Sequence, residues 1–444
     1  AYPRQRRPVS INLIPAGPQF PGLLALVPVL GTVLLLANGT GRNTVNRALS
    51  SPVPVFFGRI TYSLYLWHWP VVTLSLYLRG SYSGPLEAGM WLALAVGLAW
   101  LSWRFVEQPV RHARLPAPAL LGGTAAGSAL LLALGGWLYL GDGLTSRFRP
   151  EVQPHIRASA DFLQDWSRCT SPASGPLMGL EICPIGPEGP PRVLVWGDSH
   201  VRAFREGLDQ AAQQAGTPGL ILWRAGCPPV FGLRKVESAA TPAQDLDCTN
   251  ATLQIRQALP QLPDLTTLLL IGRWSYYATG AGVGLDAQNT IALHPADGPV
   301  RIGEAQSDLL AQRIDASVAE LLDRFEQIFV LRQPPEIPGY DSRRAAREAA
   351  HDGWPLARTP VTRPDVARAE AEARAASAEA PWRALAEAGA VSLIDSWPRL
   401  CDATTCHALQ GGEGWYFDNN HVTNTAARAL HDLFAPVFAA DPAS

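Results

Sequence analysis

Charge is scarce in this chain, and cysteine is confined to one part of it. Only 17% of the 444 residues are charged, and the formal net charge is −2. With no basic stripe interleaved with aromatics, that balance excludes the electrostatic footprint of a nucleic-acid binder. Acidic side chains are nearly missing before residue 150, where Leu, Ala, Gly, Val and Trp dominate and the few charges are mostly Arg. Cysteine is missing there altogether. Cys169, Cys183, Cys227, Cys248, Cys401 and Cys406 all follow it. Their spacings lack the paired CxxC and histidine of a zinc site, so no metal is expected. They fall into three loosely adjacent pairs. Three local disulfides, 169–183, 227–248 and 401–406, are expected, which sets the second half in an oxidising compartment. Six free thiols in a cytosolic domain are the alternative. Residues 1–19 also lack the clean apolar run and cleavage site of a signal peptide. The chain begins at Ala1, and an N-terminally incomplete protein is expected.

Long apolar runs are present. Residues 20–37, 60–78, 88–103 and 118–140 each come near the ~20 residues that cross a bilayer, and almost none of their residues is charged. Four buried helices of a soluble protein are the competing reading. Arg42, Arg47 and Arg59 lie between the first two runs, and Arg104, Arg111 and Arg114 between the last two. The positive-inside rule makes both loops cytoplasmic and puts everything after 141 outside, in agreement with the cysteines. Arg4, Arg6 and Arg7 then sit outside, against the rule.

Residues 142–190, rich in Pro, Gly and Ser, read as a linker between a membrane part, 1–141, and a domain over 191–444. In that domain short apolar runs suit buried parallel strands: 193–197, 219–223, 266–271, 327–332 and 390–394. Helical stretches separate them. The clearest is 364–388, with Pro364 at its start and Arg368/Glu372 and Glu370/Arg374 as i,i+4 pairs. Strands alternating with helices imply a doubly wound sheet, whose sites form beyond the carboxyl ends of its strands.

One such end reads VLVWGDSHVRAF over 193–204. Ser199 follows a buried strand and opens a helix, where backbone N–H groups face any charge that develops. A serine hydroxyl needs a base. Among nine histidines, His421 in YFDNNHVTNTAA (416–427) follows Asp418 by three residues, a spacing that lets a carboxylate hold one ring nitrogen while the other faces a serine. The plain alternative makes Asp418 a helix cap and His421 a surface residue. His200 is the rival base. As the neighbour of Ser199 it is expected to point away from the hydroxyl, and it reads as support for the turn.

GDSH at 197–200 and DNNH at 418–421 resemble the first and last motif blocks of SGNH, or GDSL-like, hydrolases. GRITYSLYLWHWPVV (58–72) and WRFVEQPVR (103–111) resemble the last two spans and tail of the acyltransferase-3 membrane family. The fusion resembles bacterial membrane O-acyltransferases of cell-surface polysaccharide. The resemblance implies a multi-domain chain: a fragment of a transmembrane helical bundle, then a three-layer α/β, flavodoxin-like SGNH domain with a parallel sheet. It implies Ser199 as nucleophile, His421 as general base and Asp418 as its orienter. The oxyanion hole would be the N–H groups of Ser199 and of Gly226 in RAGCPPVFG (224–232), where plain turn chemistry is the alternative for Gly226.

Two departures stand out. The family offers an Asn after the third strand; here the place reads IGRWSYY (271–277). Arg273 could donate to the oxyanion instead, and Trp274, Tyr276 and Tyr277 could form a sugar-stacking platform or be ordinary core. The family's early-span histidine and arginine also have no counterpart. His68 is the one histidine within a span, a functional candidate by default, but the resemblance makes it structural.

The implied activity is O-acetyl transfer through an acyl-serine onto a sugar hydroxyl of a polysaccharide such as lipopolysaccharide O-antigen. The implied setting is the inner membrane, multi-pass, with the second domain periplasmic. No cofactor is expected to be bound; acetyl-CoA is the expected donor. Partners are the lipid bilayer and the polysaccharide acceptor, not nucleic acid. A carbohydrate acetyl-esterase and a membrane-anchored glycan-binding module with a degenerate site are the alternatives.

Overall fold

The computed structural model describes residues 25–39, 41, 43–113, 116–298, 305–357 and 359–439. Arg4, Arg6, Arg7, Arg42, Arg114 and the start of the 20–37 run lie outside the described residues. The chain divides into two units between Gly123 and Thr124.

The first unit is helical: α1 (Leu26–Ala37), α2 (Pro52–Arg79), α3 (Pro85–Ser102) and the start of α4 (Ala117–Leu140). α3 runs on through a wide π turn, Trp103–Glu107, to His112. α2 and α3 pack against each other, and small residues are buried on both, Ser63 and Ser75 on one and Ala95 and Ala99 on the other. The Ser63 hydroxyl donates to Glu107 at 2.9 Å. Pro85–His112 and Ala117–Leu140 are long and apolar enough to cross a membrane, with mean hydropathies of 1.4 and 1.6. Of the four runs expected to span, two lie in helices that meet this length and composition among the described residues. The described part of the first run is a 12-residue helix. The 60–78 run lies in α2, where Tyr62, Tyr65, Trp67, His68 and Trp69 dilute its apolar character below the same standard. The His68 ring bonds locally, its Nδ1 2.9 Å from the Tyr65 carbonyl one turn back.

The second unit is built on a six-stranded sheet. In chain order it contains α5 (Gln153–Ala160), β1 (Ile182–Ile185), β2 (Val193–Gly197), α6 (Ser199–Ala215), β3 (Gly219–Trp223), β4 (Leu233–Glu237), α7 (Pro242–Ala258), β5 (Thr267–Ile271), α8 (Trp274–Thr279), β6 (Ile291–Pro295), α9 (Gln306–Leu322), β7 (Gln327–Leu331), α10 (Arg368–Glu387), β8 (Ser392–Ile394) and α11 (Asn424–Ala429). The main sheet runs β1-β3-β2-β5-β7-β8, all parallel except edge strand β1. β4 and β6 form a separate antiparallel pair. Both faces of β2 are covered. Val193 and Val195 join Phe204 and Leu208 of α6 in one core, and Leu194 and Trp196 join Ile255 of α7 and Ile314 of α9 in the other. That is why its sequence is apolar without alternation.

All five strands read from the sequence are present. Residues 142–190 differ from a linker: β1 pairs with β3, and the Asp161 carbonyl accepts the Asn424 N–H at 3.0 Å. Pro184 is tolerated because β1 is an edge strand. Helix α10 opens at Arg368, since Asp365–Ala367 pairs with Thr405–His407 instead. The Arg368–Glu372 pair forms at 2.9 Å, but Arg374 turns to Glu336 at 2.7 Å rather than to Glu370. The cysteines pair as 169–183, 227–248 and 401–406.

Candidate active site

The chain crosses from one side of β2 to the other between β3 and β5, so β2 ends at the switch point of the sheet, where ligand crevices open. Gly197 closes the strand, and a side chain there would collide with the Ile271 carbonyl. Asp198 caps α6 by accepting the His200 N–H at 2.8 Å. Ser199 is thereby fixed at the first position of the helix.

The loop before α11 supplies the rest. Asp418 Oδ1 accepts the amide N–H groups of Asn420 at 3.0 Å and His421 at 2.8 Å, which winds the loop around the carboxylate. Its Oδ2 lies 2.8 Å from His421 Nδ1, and His421 Nε2 lies 2.8 Å from Ser199 Oγ. Burial pushes the Asp418 carboxyl up, but the pull of His421 and the hydrogen bonds outweigh it and hold it far below the usual carboxylate range. An ionised Asp418 keeps the imidazole proton on Nδ1 and leaves Nε2 to accept the serine hydroxyl. His200 turns to Asp198, its Nδ1 3.2 Å from that carboxylate, and not to Ser199.

Ser199, His421 and Gly226 share one cavity of about 640 Å³ with Trp223, Glu237 and Tyr276. The amide N–H groups of Ser199 and Gly226 have no acceptor among the described residues. Gly226 has φ +61°, and a Cβ there would press on Glu237 and Lys235. Two unbonded amides at a helix start and a left-handed turn can hold an oxyanion.

The structure corrects two expectations at IGRWSYY. Arg273 borders the cavity, but its guanidinium is engaged by Asp286 at 2.8 Å and Glu336 at 2.6 Å, and so it is not an uncommitted donor. Its backbone N–H goes to Asp198 Oδ2 at 2.7 Å. Trp274 is core: 2% exposed, its Nε1–H donates to the Leu331 carbonyl and its ring packs on Trp382 at 4.8 Å. Tyr276 does line the cavity, its hydroxyl 3.2 Å from Glu237. The Tyr277 hydroxyl donates to Asp198 at 2.6 Å.

Sequence reasoning missed three cavity residues. Trp223 ends β3, and the strand-end rule that found Ser199 applies to it equally. Lys235 and Glu237 ride on β4, whose LRKVE pattern carries no such signal; their ammonium and carboxylate meet at 2.5 Å.

The domain is an α/β domain with a mostly parallel sheet that carries a serine at a strand end, a histidine bonded to it and an aspartate behind that histidine, an arrangement that can support nucleophilic chemistry at the serine. Residues 168–436 match the family model described as an SGNH domain fused to AT3 domains, and the chain belongs to that family. Proteins of Staphylococcus aureus strains COL and N315, provisionally named O-acetyltransferases, are 34% identical over 98 residues. That match covers 21% of this chain and 15% of the relatives' length. The periplasmic domain of the lipopolysaccharide acetyltransferase of Salmonella ser. Paratyphi A superposes with a TM-score of 0.36 at 13% identity, over 56% of this chain and 84% of that one. A GDSL-like lipase of Bacteroides thetaiotaomicron gives 0.30 at 10% identity, over 56% and 87%.

Proposed function

We propose that this protein is a membrane O-acetyltransferase that modifies sugar hydroxyls of a bacterial cell-surface polysaccharide, such as lipopolysaccharide O-antigen. The observation that carries the reading is the unbroken relay Asp418–His421–Ser199 facing a cavity far larger than an acetyl group needs. Family membership and the S. aureus relatives support acyl transfer.

His421 takes the Ser199 proton as Oγ attacks the acetyl carbonyl. The N–H groups of Ser199 and Gly226 hold the tetrahedral oxyanion. The donor's leaving group departs with the proton from His421, and Ser199 keeps the acetyl. A sugar hydroxyl then gives its proton to His421 and attacks the acetyl-serine. As the second tetrahedral intermediate collapses, the acetyl–Oγ bond breaks, His421 returns the proton to Ser199 Oγ, and the sugar leaves as its acetyl ester. The donor is acetyl-CoA, and the acetyl group reaches Ser199 from the membrane side. The apolar helices lie in the inner membrane and the residues after 141 in the periplasm, where the three disulfides persist.

The test incubates the full chain in detergent micelles with an activated acetyl ester, with and without an oligosaccharide acceptor, beside Ser199→Ala. Acetyl on the sugar from the wild type alone supports the proposal. Acetate release without transfer makes the protein an esterase. Equal inertness of both proteins turns the reading to glycan binding.

A further inference from the structure

A second aspartate–histidine pair lies against the first. His200 is 1% exposed, and its ring stacks on that of His421 with centroids 4.7 Å apart and planes 29° from parallel. Asp198 beneath it is 0% exposed and gathers four hydrogen bonds. Oδ1 faces the His200 amide at 2.8 Å and Nδ1 at 3.2 Å, while Oδ2 faces the Tyr277 hydroxyl at 2.6 Å and the Arg273 amide at 2.7 Å. Burial pushes the Asp198 carboxyl up, but His200 and these hydrogen bonds hold it below the usual range. Burial also pulls His200 below the usual imidazole range, against the opposing pull of Asp198. A neutral His200 beside an ionised Asp198 carries its proton on Nδ1. Its Nε2 then has no partner among the described residues. Burying an unpartnered ring nitrogen costs free energy, and an apolar side chain would fill the place without that cost.

We infer that His200 is a positioning residue for His421: clamped by Asp198, its ring is the floor on which the His421 imidazole rests and on which the imidazolium forms as Ser199 loses its proton. The inference rests on the reading of His421 as general base. A flat neutral ring favours a cation stacked on it, whereas a charged one would repel it. The other groups around the pair fit that role. Asp418 faces His421 Nδ1, the Phe162 ring stands 5.4 Å from His421, and Arg202 lies beyond Phe162. Arg273 and Tyr277 reach His200 through Asp198.

Two substitutions separate the ring from the hydrogen bond. His200→Asn offers an amide N–H to Asp198 but no ring; His200→Phe offers a ring but no N–H. Initial rates on an activated acetyl ester are measured with the full chain over about pH 5 to 8, where histidine titrates. Removing the floor disfavours the cation. His200→Asn is therefore expected to move the acidic limb of the kcat/KM profile about one unit lower and to lower kcat about tenfold with KM unchanged. His200→Phe is expected to keep the wild-type limb. An unmoved limb in His200→Asn overturns the inference, however large its loss of rate. A shifted limb in His200→Phe overturns it too, and that arm stands if the Asn variant fails to fold. Wild type no more active than Ser199→Ala would instead sink the reading of the relay.

Discussion

Gly207 on α6 lies so close to the Ala427 carbonyl on α11 that any Cβ at 207 would collide with that oxygen. The contact fixes the spacing between the helix that Ser199 opens and the helix that follows His421. Alanine is the better helix former by about 1 kcal/mol, yet Gly207→Ala is expected to lose about 1–3 kcal/mol overall as the helices part. Urea unfolding measures the loss, and a parallel fall in kcat reports the displaced His421.

Asp418→Asn keeps an oxygen for the two loop amides but no longer holds the imidazole proton on Nδ1. A fall of about 10⁴-fold in kcat is expected. The melting temperature should change little, which separates lost chemistry from lost fold.

Gly226→Ala places a Cβ on a backbone at φ +61° and against Glu237 and Lys235. The amide it displaces is a proposed oxyanion donor. Steady-state kinetics should show kcat reduced about 10²–10³-fold with KM nearly unchanged.

Two histidines give opposite pH dependences of stability. His200 has a folded pKa below its ordinary value, chiefly through burial. Its contribution is present above about pH 6.5 and is lost as pH falls, because the unfolded chain takes up the proton first. His407 is raised by its hydrogen bond to Asp365, then by Asp402, against partial burial. Its contribution is full below about pH 6.5 and is lost as pH rises through the folded value. In urea midpoints measured against pH, His200→Phe should flatten the acid-side loss. His407→Gln should cost most at acid pH and least at alkaline pH.

Trp274→Ala opens a cavity in the core between the sheet and α10. It should cost about 3–5 kcal/mol and leave the acceptor KM of the folded fraction unchanged. A raised KM at unaltered stability would restore it as a sugar platform.

Four of the five parallel strands were legible because strands buried on both faces are continuous apolar runs. The fifth, edge strand β8, leaves Ser392 and Leu393 exposed and was legible from the apolar run 390–394 alone. Ser199, Asp418 and His421 were legible because their spacing matches what the chemistry needs, and the structure brings the three together. β1 was not legible, since ICPI sits in a Pro-rich stretch and is held there by its pairing with β3 and by Cys169–Cys183. Trp274 and Arg273 misled for one reason. Their place in the chain is next to the site, but the turn of α8 sends one ring inward and two carboxylates from distant loops claim the guanidinium. The stacking of His200 on His421 joins residues 221 positions apart (421 − 200) and leaves no local trace.

The most direct test of the central claim is mass spectrometry of the Ser199 peptide after a brief exposure of the full chain to an activated acetyl ester, followed by a chase with oligosaccharide. The account predicts acetyl on Ser199 that disappears as acetylated sugar forms. A Ser199 peptide that never carries acetyl, in a protein that still acetylates the sugar, would contradict it.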